Sequence, residues 1–176
     1  TLDTTAPSLS SVVAPATALT GGGNSVGETI VLTLTFDGAV TGLTSGTDAT
    51  IFKVGSTGVS ASWSGTDGST TRTLTYTVAA GQNGAASLDE AALKTALVAG
   101  IRDAAGNAFA YTINGGDIPN IDVDALPGVD TTAPIAPTLS LASDTGTSGS
   151  DRLTNKGTVN VGGLEAGASW QYSTGG

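Results

Sequence analysis

Apolar residues recur at every second position along much of the first half of this chain, and a period of two predicts β-strands. Leu32, Leu34 and Phe36 alternate with Thr33 and Thr35, so residues 29–36 read as a half-buried strand, turned at its end by Asp37-Gly38. Residues 49–54 read as another strand. Val59, Ala61 and Trp63 alternate with serines, and Leu74, Tyr76 and Val78 alternate with threonines. Gly65-Thr66-Asp67-Gly68-Ser69 joins those two runs as a hairpin loop. The alternation places Trp63 in the core. Thr is a good strand former on a solvated face, which accounts for the threonine rows without an ice- or sugar-binding role.

Residues 87 to 100 change period. Leu88, Ala92, Leu93, Ala96 and Leu97 follow helical spacing, Ser87 and Glu90 fit a capping box, and Gly100 is a stop. One short helix near 88–99 is expected. The β pattern resumes at 108–113, and Asn114-Gly115-Gly116 turns the chain again. An acidic stretch broken by Pro119 and Pro127 then serves as final strand and linker.

The chain also repeats itself. Leu2-Asp3-Thr4-Thr5-Ala6-Pro7 returns as Val129-Asp130-Thr131-Thr132-Ala133-Pro134, each time followed by an alternating run. The separation is about the size of one small domain. Residues 1–129 therefore read as one complete module and 130–176 as the incomplete start of a second. The second has strands near 138–141, 157–161 and 169–172, too few to close a sandwich.

Composition removes whole classes of chemistry. There is no His, Cys or Met, which eliminates Ser-His-Asp and Cys-His catalysis and every imidazole or thiolate metal site. The net charge of −9 leaves no basic groove for nucleic acid and no attraction to an anionic membrane. No apolar run is long enough to span a membrane, and none reads as a signal peptide. The acids are mostly Asp, which suits turns and hard-cation sites. Acid pairs occur (Asp89-Glu90, Asp122 with Asp124), yet such neighbours are ordinary in a helix's first turn or a linker, and no enzyme activity is expected.

These pieces together resemble the bacterial immunoglobulin-like repeats of giant secreted adhesins, many of them RTX-type. The resemblance is carried by Asp-Thr-Thr-Ala-Pro at 3–7 and 130–134, Leu-Thr-Phe-Asp-Gly-Ala-Val at 34–40, Tyr-Thr-Val-Ala-Ala-Gly-Gln-Asn at 76–83 and Ile-Arg-Asp-Ala-Ala-Gly-Asn at 101–107. Residues 142–151 and 163–173 resemble a second subtype. The chain departs from the repeats at Gly38, where they carry an acid; here the acid is Asp37, one place earlier. A helix also stands where they more often have a strand and turn.

The resemblance implies an all-β, Greek-key immunoglobulin-like sandwich in tandem modules. It implies an extender, or stalk, on the bacterial cell surface, stiffened by Ca²⁺ at poles and junctions. The implied partners are neighbouring modules of the same chain. In a seven-strand sandwich the final hairpin turn returns to the pole where the first strand enters. Asp3, Asp103 and Asn107 are therefore candidates to converge on one cation. Asp130 is the repeat equivalent of Asp3, near Asp122 and Asp124, and Asp144 with Asp151, near Thr154 or Asn155, would serve a separate site. The same residues also suit Asx turns and caps. Two other functions stay open: a self-assembling subunit of a surface filament or layer, and a carbohydrate- or peptide-binding module using Trp63, Trp170, Tyr76, Tyr111 or Tyr172.

Overall fold

The alternating rows become strands with the expected faces turned inward. The structure, a computed structural model, describes residues 2–14, 25–110, 126 and 128–173. It divides into two units, Thr1–Thr131 and Thr132–Gly176.

The first unit is built from β1 (Leu9–Val13), β2 (Thr29–Thr41), β3 (Thr47–Val54), β4 (Thr57–Gly65), β5 (Ser69–Thr77), β6 (Ala86–Leu88), α1 (Glu90–Gly100) and β7 (Arg102–Asp103). Its antiparallel strands follow the order β1-β2-β5-β4-β3-β6, with β7 on the far end of β2. The sheet curls into an immunoglobulin-like sandwich. Leu32, Leu34, Phe36, Ala61, Trp63, Leu74 and Tyr76 all point into one core, and Leu93 and Leu97 of the helix join it. Phe36 meets Phe109 edge-on at 6.0 Å between ring centres.

Two local expectations are corrected. Asp37-Gly38 does not end the strand: β2 runs on to Thr41, and its register against β5 jumps between Thr35 and Val40. The turn residues form a bulge, which lets the far half of β2 leave β5 and pair with β7. Ser87 does not cap the helix. As part of β6 it pairs with Lys53 of β3, because Leu88 is drawn into the core opposite Phe52. Asp89 caps instead, its Oδ1 accepting from Ala92 N at 2.9 Å and its Oδ2 meeting Lys53 Nζ at 2.7 Å. Gly100 is the last residue of the helix, as expected, and a Cβ there would stand 2.7 Å from the Leu43 side chain.

Hydrophobic pattern also failed at one place. Ile51 and Phe52 are consecutive, yet both are fully buried. A register jump between Asp48 and Phe52 turns both inward, overriding strict alternation.

The second unit holds β8 (Thr138–Leu141) and β9 (Val159–Gly162), paired antiparallel. Leu139 faces Val161 and Leu141 faces Val159, so four apolar residues share one face. None of the described residues of this unit is buried. The strand expected at 169–172 does not form, and Trp170, expected to pack, is 48% exposed beside exposed Tyr172. The turn at 114–116, Tyr111 and the acids Asp122 and Asp124 lie outside the described residues.

Candidate functional site

The bulge in β2, the entry of the chain and the β7 turn meet at one pole of the first unit. They enclose an acidic cleft of about 360 Å³ lined by Asp3, Pro7, Asp37 and Asp103, among others. Each carboxylate has a local job. Asp37 accepts from Ser8 N at 2.9 Å and Ser8 Oγ at 2.7 Å, fixing the start of β1 to the bulge. These bonds hold its pKa below the ordinary value. Asp3 Oδ1 accepts from Thr5 N at 3.0 Å, an Asx turn. Asp103 Oδ1 accepts from Asn107 N at 2.8 Å, and the hydrogen bond from the Asn107 side chain holds its carboxyl below the ordinary range.

Asn107 stands at the centre. Its Nδ2 lies 3.2 Å from Asp3 O, 3.2 Å from Thr5 O and 2.8 Å from Asp103 Oδ2. Three oxygens thus converge on one nitrogen that carries two hydrogens. The structure brings Asp3, Asp103 and Asn107 together, as their positions in the sequence suggested. The arrangement at hand is an amide clamp between residues far apart in the chain. Among the described residues, no three Asp or Glu side chains stand close enough to hold one metal ion.

The other candidates are dispersed. Asp144 Oδ2 accepts from Arg152 N at 3.0 Å, whereas Asp151 Oδ1 accepts from Leu153 N at 3.0 Å. Arg152 takes a left-handed φ of 61° in this tight loop. Thr154 and Asn155, named as neighbours, close the loop through Thr145 at 3.0 and 2.8 Å. Asp144 Oδ1 is shut away from solvent with no hydrogen bond, so this loop holds an unsatisfied acceptor. Asp130 is exposed, between Val129 and Thr131.

The sequence reading missed two features. One is Arg72, fully buried, whose guanidinium donates to Gly42 O at 2.6 Å, Thr71 O at 2.7 Å, Val40 O at 2.9 Å and Thr66 O at 3.1 Å. Burial pushes its pKa down, while Asp67 opposes the shift. Its position two residues before Leu74 was the available signal. The other is the turn at 79–84, which holds Thr131. Thr131 N donates to Asn83 Oδ1 at 2.7 Å and its hydroxyl donates to Gln82 O at 3.1 Å while accepting from Gly81 N at 3.0 Å.

A sequence profile of the family described as BatD DUF11 like domain matches residues 24–115, more than half of the chain. No curated protein and no solved structure matches.

Proposed function

The chain belongs to the BatD DUF11 like domain family, a bacterial surface-associated group, and on that premise we propose that it is a structural extender, a stalk segment of a long surface adhesin. The observation that carries this reading is its tandem build: the same Asp-Thr-Thr-Ala-Pro signature opens the first unit and straddles the start of the second. Its partners are neighbouring modules, its setting is extracellular, and its role is mechanical rather than enzymatic. No described helix is long and apolar enough to cross a membrane.

Calcium belongs to this reading as a second element. The atoms that would hold it are Asp3 O, Thr5 O and Asp103 Oδ2, with the Asn107 amide turned to present its oxygen. Those are hard donors of the kind Ca²⁺ takes. The unsatisfied Asp144 oxygen supports a separate site in the second unit.

Small-angle scattering of the monomer, with melting followed in millimolar Ca²⁺ against Mg²⁺, tests both elements. An elongated monomer supports the stalk. A Ca²⁺-specific rise in Tm supports the ion sites, since saturation at about one hundred times Kd adds about 2.7 kcal/mol. An unchanged Tm removes calcium and leaves an ion-independent spacer.

The four-residue apolar face of the second unit favours one alternative, assembly into a filament in which a neighbouring chain covers it. Concentration-dependent polymers in size-exclusion chromatography would replace the stalk reading with that one.

A further inference from the structure

The two copies of the signature occupy the same place in the repeat but have opposite surroundings. Val129 is 3% exposed and exchanges both backbone hydrogen bonds with Gly84, each at 2.9 Å. Its equivalent, Leu2, is 90% exposed. Thr131 is held by the 79–84 turn through three hydrogen bonds, whereas its equivalent Thr4 is exposed. An apolar side chain and a hydroxyl, spaced to fit one receptor, are thus seated in the second copy and bare in the first.

The receptor is preorganised. Gln82 Oε1 accepts from the hydroxyl of Tyr76, a core residue, and from Ala79 N at 2.9 Å, so the turn is tied to the core behind it. Gly81 and Gly84 take φ of 83° and 131°, which turns their amides toward the incoming strand. The occupant supplies one short bridge and one threonine hydroxyl, a small case of strand addition.

We propose that Leu2-Asp3-Thr4 is a docking strand for the 79–84-type turn of another module of this build, lying directly upstream in the same polypeptide. This deepens the stalk reading and rests on it. The alternation of a strand then divides the labour. Leu2 and Thr4 engage the upstream turn, while the carbonyls of Asp3 and Thr5 are gripped by Asn107 of their own module. One peptide is held by two modules, which makes a stiff joint without requiring a metal ion.

The test is a tandem chain in which residues 1–128 run directly into residues 2–176, so that Leu2–Thr4 of the second copy takes the place of Val129–Thr131. The native chain carrying Val129→Leu controls for the added methylene. With the second copy alone isotope-labelled, amide exchange at Leu2 should slow about ten-fold or more relative to Leu2 of the native chain. Thr4→Ala in the second copy should lower the melting temperature of the upstream module as much as Thr131→Ala lowers it in the Val129→Leu control. Unchanged exchange at Leu2, or a silent Thr4→Ala, overturns the docking strand. Scattering on the same sample keeps the two readings apart. An extended monomer with fast Leu2 exchange defeats the docking strand and spares the stalk. A compact or self-associated chain with slowed Leu2 does the reverse.

Discussion

Arg72→Met removes the only charged side chain that is fully buried among the described residues, with little change in volume. A buried charge is costly, and exchanging an entire buried polar network for apolar groups is often neutral. Here only the donor leaves. Val40 O is left with a bond lost in a fully buried position, and Gly42, Thr66 and Thr71 lose bonds at partly buried ones. Val40 O keeps its bond from Gly68 N, so it is not orphaned, and each of the four lost bonds costs about 0.5–1.5 kcal/mol. Against this stands the relief of the buried charge, so a net loss of about 3 kcal/mol is expected. With a urea m-value of about 2 kcal/mol/M, the midpoint should fall by about 1.5 M. Arg72→Lys should recover less than half, because one ammonium cannot reach carbonyls on opposite sides of a planar fork. Gly65 gives an independent handle: a Cβ there would sit 2.5 Å from Arg72 Cδ. Gly65→Ala should therefore cost about 1–2 kcal/mol in the native background and much less beside Arg72→Met. A midpoint for Arg72→Met within about 0.3 M of the native chain would refute the reasoning, by showing that charge burial cancels the bonds.

Gly42→Ala should destabilise by about 3 kcal/mol or more in the same urea titration, because Gly42 has φ of 88° and a Cβ there would run into Gly100 O. Leu93→Ala, at a fully buried helix position, should cost about 2–5 kcal/mol while leaving the far-UV circular dichroism of the folded state unchanged. Asp37 and Asp103 both have pKa values lowered below 3.8 in the folded state. A depressed folded pKa gives stability that is complete above the unfolded value and lost as pH falls through the folded one. Melting temperature should therefore hold near pH 5 and decline below about pH 4, and Asp37→Asn should flatten that decline. An equally steep decline in the variant would remove Asp37 from the account.

Much of this architecture was readable before any coordinates, and the residues show why. The rows at Leu32–Phe36, Val59–Trp63 and Leu74–Val78 alternate because a strand with one buried face must, so their inward faces were legible from order alone. The helix was visible in its period, but its start was not. Ser87 and Asp89 are both competent caps, and the choice depended on Leu88 finding Phe52 across a strand pair. Asp37-Gly38 carries turn chemistry that also suits a bulge, and only pairing with β5 and β7 selects the bulge.

The candidate site divides in the same way. That Asp3, Asp103 and Asn107 could meet at one pole was an expectation from sandwich topology. That an amide nitrogen sits where three oxygens meet is a matter of distances across about a hundred residues of chain. By itself the sequence determined the strand class, the acidic character and the lack of imidazole and thiol side chains, because composition and period act locally. Tertiary structure alone decided which carbonyls receive the Arg72 guanidinium and which turn receives Thr131. Those outcomes depend on partners brought together by the fold, and a one-dimensional pattern carries no record of them.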